Sequence, residues 1–189
     1  LPSDISYIDD YQYYNCSNFT GPLVIPDTIT QIGKYAFFGC NNLDGPLIIP
    51  SSVTSIGEYA FANCFGFTSL VINAQLTIIP DCAFSYCTGF TGSLIIPNSV
   101  ETIAQKAFYC CSGFNESLII PNSVKSIKKC AFYDCYGFTG SLNIPDSLTQ
   151  IEEYAFFYCH SFSGSLNISN SVISIGSFAF FNCDGLMDH

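Results

Sequence analysis

The chain has 189 residues, with five Lys and no Arg against fifteen acidic residues, for a net charge of -10. That balance excludes a nucleic-acid binder, because phosphate neutralisation needs clustered cations, and it excludes a polybasic lipid anchor. A hydrophobic content of 49% excludes a disordered tail and is enough for a long buried core.

In chain order, one unit recurs. Aligned on the residue after each short aliphatic run, units open at Pro2, Pro26, Pro50, Asn73, Pro97, Pro121, Pro145 and Ser169. Six of the seven spacings are 24 residues, and Pro50 to Asn73 is 23. A fixed period of this length marks a solenoid, so residues 1–189 read as a single repeat domain. Leu1-Pro2 falls inside a repeat, so the chain reads as an excised segment or a processed product.

Each unit begins with Leu-x-Ile: Leu23/Ile25, Leu47/Ile49, Leu70/Ile72, Leu94/Ile96, Leu118/Ile120, Leu142/Ile144 and Leu166/Ile168. Period-two alternation predicts a short strand with Leu and Ile inward and the middle residue outward. Pro followed by Asn, Asp or Ser then ends the strand in a turn. An aliphatic pair three apart, such as Val53 and Ile56, points inward, often followed by Gly (Gly33, Gly57, Gly176). Ala-Phe follows, with a Cys three residues later, and this spacing predicts a tight helical or 3₁₀ turn. A further Phe or Leu closes the loop, as at Phe90 and Phe114. Stacked coils bury what one coil cannot, with strands pairing as a parallel sheet. The predicted fold is therefore an α/β, β-dominated solenoid: one parallel sheet, short helical or 3₁₀ segments opposite, and about eight coils of 23–24 residues.

Pro50 through Leu70, with Ser52, Val53, Ile56, Gly57, Ala60, Phe61, Cys64 and Phe67, resembles the BspA-like (Treponema-type) leucine-rich repeat position by position. The resemblance extends over essentially the whole chain. One extra residue in the loop Cys135-Tyr136-Gly137-Phe138-Thr139-Gly140-Ser141 is similar to repeats in surface proteins of parasitic protozoa such as trichomonads. The resemblance implies a curved leucine-rich-repeat solenoid, surface or extracellular display, adhesion or protein binding, and no catalytic residues or cofactors.

Eleven cysteines are present, eight at one repeat position: Cys16, Cys40, Cys64, Cys87, Cys111, Cys135, Cys159 and Cys183. They read as a column of small buried free thiols. Cys82, Cys110 and Cys130 lie off that column. Cys82 and Cys130 are either exposed reactive thiols or replacements for the tyrosine found there in Tyr35, Tyr59 and Tyr154. No His or acidic cluster completes a metal set around Cys82/Cys87 or Cys130/Cys135. Lys125, Lys128 and Lys129, with Lys106 one coil earlier, read as a solvated face. His160 sits at a freely varying loop position, His189 is terminal, and no nucleophile, base and orienter come together. The unit from Asn73 is irregular, with Pro80 in place of Gly and a shortened loop over Phe65-Gly66-Phe67-Thr68-Ser69.

The outward strand residues are Val24, Ile48, Val71, Ile95 and Ile119, then Asn143 and Asn167. This stripe on a concave sheet is the candidate partner-binding face, for a protein ligand or a host or matrix surface protein. The competing reading is β-propensity alone. Asn18 and Asn115 are the best placed of four glycosylation sequons, the others being at Asn15 and Asn167. A structural protein assembling through its solenoid ends is the alternative function, since neither end carries a polar capping repeat. No stretch is long and apolar enough to insert in a membrane.

Overall fold

The computed structural model of the chain describes residues 1–186, so His189 lies outside the described residues. Fifteen short strands, all paired in parallel, form the walls of a solenoid. One wall is built from the Leu-x-Ile segments and the residues leading into them: β2 (Gly21–Pro22), which stops just before Leu23, then β4 (Leu43–Ile49), β6 (Phe67–Ile72), β8 (Leu94–Ile95), β10 (Leu118–Ile119), β12 (Leu142–Asn143) and β14 (Leu166–Asn167). The second wall was not expected. It consists of two-residue strands ending in the second inward aliphatic: β1 (Tyr7–Ile8), β3 (Gln31–Ile32), β5 (Ser55–Ile56), β7 (Ile78–Ile79), β9 (Thr102–Ile103), β11 (Ser126–Ile127), β13 (Gln150–Ile151) and β15 (Ser174–Ile175).

Eight passes through this second wall enclose seven complete turns, not the eight coils predicted. Counting unit starts overcounts by one, because closing a turn requires the next start. Between strand and strand, six of the eight unit-opening residues, all but Pro2 and Asn73, begin a tight turn: the Val100 N–H donates to the Pro97 carbonyl at 3.0 Å, and Val124 to Pro121 at 3.1 Å.

The third wall holds Ala-Phe, and here the predicted helical or 3₁₀ segment is absent. No helix occurs among the described residues. Instead the N–H groups alternate in direction. Those of Lys106, Phe108 and Cys110 donate to Lys129, Ala131 and Tyr133 of the next coil at 3.1, 2.9 and 2.7 Å. Those of Ala107, Tyr109 and Cys111 close turns within their own coil. A helix would turn every N–H inward to its own segment, so it cannot also tie the coils together.

Two left-handed residues per coil make the alternation possible. Tyr35, Tyr59, Cys82, Lys106, Cys130, Tyr154 and Phe178, each before the Ala, have φ between 54° and 59°. The residue before the Cys does the same, as at Asn63 (φ 59°), Cys110 (φ 57°) and Asp134 (φ 58°).

The core is a set of columns running along the solenoid. The Ala-Phe rings Phe37, Phe61, Phe84, Phe108, Phe132, Phe156 and Phe180 stack with centroids 5.2–5.7 Å apart and planes within 10°. A second phenylalanine column meets them edge-on, as where Phe132 and Phe138 lie at 74°. This edge-to-face pairing suits the ring quadrupoles.

Candidate interaction surface

On the Leu-x-Ile wall the alternation is as predicted. Leu47, Ile49, Leu94, Ile96 and Leu142 are buried, and the residues between them face out. Val24, Ile48, Val71, Ile95 and Ile119 keep 66, 44, 44, 60 and 47% of their area exposed. The strands bring them into line: Ile48 pairs with Val71, and Ile95 with Ile119. The stripe changes chemistry at Asn143, which pairs with Asn167 in register, the Asn167 amide donating to the Asn143 side-chain oxygen at 2.6 Å.

Two shallow grooves flank the aliphatic residues. One, of about 330 Å³, lies between Val24 and Ile48 with Asp27, Ser51 and Asn73 at its rim. The other, of about 440 Å³, lies between Val71 and Ile95 with Thr91 and Ser93 beside them. Of the polar rim, only Asn73 stood out in the sequence, as the opening of the irregular unit; Asp27 and Ser51 read as turn formers after a unit start, and Thr91 and Ser93 as part of the loop leading into the next strand. Asn73, where six of the other seven units carry Pro, donates its N–H to the Ile49 carbonyl at 2.9 Å and so adds a rung to the wall.

The sequon residues Asn18 and Asn115 are both exposed. The Asn115 side-chain oxygen accepts from the Gly92 N–H at 2.8 Å, which fixes its orientation.

All eleven cysteines are free. The thiols of Cys64, Cys87, Cys111, Cys135, Cys159 and Cys183 each donate to the carbonyl of the Ala-Phe phenylalanine one coil earlier, at 2.9–3.1 Å. Cys is thus the small side chain that fits this buried position and also supplies a donor to a carbonyl with a spare lone pair. Burial pushes the Cys40 thiol up to about 11 and Cys87 up to about 12.

The exposed-thiol alternative for Cys82 and Cys130 does not hold. They are 5 and 6% exposed and occupy the left-handed position of the tyrosines. Cys110 is half-buried, with its thiol 3.6 Å from a carboxylate oxygen of Asp134. Burial and that carboxylate together push it up to about 12.

The basic group is tied down by glutamates across coils: Lys125 to Glu101 at 2.8 Å, Lys128 to Glu152 at 2.9 Å and Lys129 to Glu153 at 2.8 Å. His160 lies in a loop, stacked on Tyr136 at 5.4 Å. Among the described residues no three His, Cys, Asp or Glu side chains converge on one point, and no helix is long and apolar enough to cross a membrane.

The BspA type leucine rich repeat region matches residues 6–139 and 131–188, in six copies. The chain belongs to the BspA-type leucine-rich repeat family. Among solved structures, the Treponema pallidum leucine rich repeat protein is similar at 27% identity and a TM-score of 0.81, over 99% of this chain and 86% of that one. A leucine rich cell surface protein of Faecalibacterium prausnitzii shares the fold at 24% identity and a TM-score of 0.61, over 100% of this chain and 67% of that one. A leucine-rich repeat protein of Eubacterium ventriosum aligns at 25% identity and a TM-score of 0.57, over 96% of this chain and 41% of that one. A comparison with curated protein sequences finds no significant match. BspA-type repeats belong to the leucine-rich repeats, whose families are generally non-enzymatic scaffolds that point to protein interaction.

Proposed function

We propose that this chain is a non-catalytic adhesion module of a cell-surface leucine-rich repeat protein, and that the stripe from Val24 to Ile119 is where it holds a protein partner. The observation that carries this reading is the run of five exposed aliphatic side chains along the Leu-x-Ile wall, with Ile48 and Val71, and Ile95 and Ile119, paired in strand register. Contiguous exposed apolar surface rimmed by polar groups is the mark of an interaction site. The grooves beside the stripe supply that polar rim through Asp27, Ser51, Asn73, Thr91 and Ser93. Exposed sequons at Asn18 and Asn115, and a loop similar to protozoan surface repeats, support a cell-surface or extracellular setting.

The test is attachment of beads coated with the folded chain to epithelial cells and to extracellular matrix. Ile95→Asn combined with Ile119→Asn is expected to abolish attachment while the unfolding midpoint stays within a few degrees. Attachment undiminished by this pair overturns the assignment of the stripe.

End-to-end assembly is the second reading. Ile173, Ile175, Phe178 and Phe181 on the last described coil are exposed, and a further coil, of the same chain or of a second copy, would cover them. Light scattering across a concentration series separates the two: rods that lengthen with concentration favour assembly, and a fixed monomer mass favours the binding module.

A further inference from the structure

The outer side of the third wall carries two columns of side chains. In the first, the residue before each Ala, Tyr11 stacks on Tyr35 at 5.0 Å, Tyr35 on Tyr59 at 4.6 Å and, further along, Tyr154 on Phe178 at 5.3 Å. In the second, the residue after each Phe, Tyr14 stacks on Phe38 at 5.1 Å, and Tyr109, Tyr133 and Phe157 follow at 4.7 Å intervals. Both columns break in the middle of the chain. Cys82, Lys106 and Cys130 replace rings in the first, and Ala62 and Ser85 replace them in the second. In the coil of Cys82 and Ser85 neither column has a ring.

The break leaves a notch of about 280 Å³. Phe38 and Tyr59 stand on one side of it, and Tyr109, with Tyr86 edge-on to it at 5.4 Å, stands on the other, over buried Ala62 and Ser85. Its size is near the lower end for ligand pockets. Ser85 is the one polar residue buried as a whole among the described residues, and its hydroxyl donates to the Lys106 carbonyl at 2.7 Å, which anchors the Lys106 turn. Four of the five lysines are paired with a glutamate of an adjacent coil. Lys106 has no such partner among the described residues; its ammonium lies 5.3 Å from the Tyr109 ring centre, at the edge of the notch.

We propose that this notch binds an aromatic side chain of a partner polypeptide with a carboxylate beside it. The guest ring enters the interrupted column between Phe38 and Tyr109, and the carboxylate pairs with Lys106. The columns themselves define the guest. Rings along them stack near 5 Å, two successive rungs are missing in the second column, and a planar ring replaces a missing rung where an aliphatic chain would leave both faces uncovered. The unpaired cation selects an anion next to that ring, on a chain whose net charge of -10 repels anions elsewhere. This site lies on a different wall from the Val24–Ile119 stripe and does not depend on that assignment.

Because the chain contains no Trp, the indole emission of the blocked peptide acetyl-Gly-Asp-Trp-Gly-amide reports on the peptide alone. Titrating the full chain into this peptide is expected to give a saturable blue shift. The Asn-for-Asp peptide, and Lys106→Gln with the original peptide, are expected to bind roughly three- to five-fold more weakly, the scale of one exposed ion pair. Ala62→Phe combined with Ser85→Phe, which restores both missing rings, is expected to abolish the shift. Should that double variant not fold, the Lys106→Gln and Asn-peptide measurements decide alone. Ile95→Asn with Ile119→Asn is expected to leave peptide binding unchanged, so failure of the stripe and failure of the notch are distinguishable. No saturable shift with the wild-type chain, or equal affinity for the Asp and Asn peptides, overturns the proposal.

Discussion

At Gly113 a β-carbon would run into the carbonyl oxygens of Thr88 and Phe90 in the preceding coil. Both are backbone atoms, so neither yields as the far end of a flexible side chain would. Gly113→Ala is therefore expected to cost at least about 2 kcal/mol, read as a lower urea midpoint at unchanged slope. The thiols make a complementary case. Those of the column from Cys40 to Cys159 are sealed in the core and held protonated by burial, whereas at its two ends Cys16 is half-buried and the hydrogen bond from Cys159 holds Cys183 below the ordinary thiol value. Cys110 is also half-buried, but Asp134 beside it opposes its ionisation. Since the thiolate is the reactive form, a small disulfide reagent at neutral pH is expected to modify Cys16 first and Cys110 slowly. The other thiols should react only in denaturant, to a total of eleven. Fast labelling of many thiols in the native protein contradicts this picture.

At the scale of the element, the third wall decides how the coils are held. Each coil places two non-glycine residues, or one with a glycine, in the left-handed region, at a cost of about 1 kcal/mol per non-glycine residue. The return is an N–H sent to the neighbouring coil at every second position. Asn63, with φ 59°, tolerates this conformation better than most residues. Asn63→Val is expected to lower stability by more than about 1 kcal/mol and Asn63→Gly by much less, if at all, because a β-branched residue there is a steric outlier. Equal losses would mean that the Asn63 side chain, not its backbone, matters. The Leu-x-Ile strands were legible because three alternating residues recur seven times, five of them followed by Pro. The second wall was not, since two residues such as Ser126 and Ile127 carry no period of their own. The left-handed position before each Ala was hidden because Tyr, Cys, Lys and Phe occupy it where Gly or Asn would have announced it. The aliphatic stripe follows from the same alternation as the strands. The notch does not, because it consists of rings that are missing, and Ala62 or Ser85 means nothing until the columns around them are known.

For the whole molecule, the cysteine column couples the fold to alkali. A buried thiol whose pKa is raised in the folded state favours the protonated form there. Below the ordinary thiol value of 9.0 both folded and unfolded chains are protonated, and the contribution to stability is fully present. Above it the unfolded chain loses protons first, so the contribution shrinks until the pH passes the folded values, about 11 for Cys40 and about 12 for Cys87. Burial raises Cys64, Cys111 and Cys159 as well. The urea midpoint is accordingly expected to fall steadily as pH rises from 9 towards 12, and replacing Cys87 with Ala should flatten that slope. A midpoint independent of pH over this range refutes the linkage.

The alternating N–H groups of the third wall also give the molecule a mechanical character. Tension applied between its two ends runs along the solenoid axis and loads the bonds between coils, while the turn bonds inside each coil carry none of it. A coil can then be peeled away at the edge without disturbing the next, since every coil is held by its neighbours alone. Pulled with an optical trap, the chain is expected to lengthen in a series of similar steps. Each would release the 24 residues of one unit, roughly 80 Å of contour at about 3.4 Å per extended residue. Such a module yields in instalments, keeping the rest of its length folded while a load is applied.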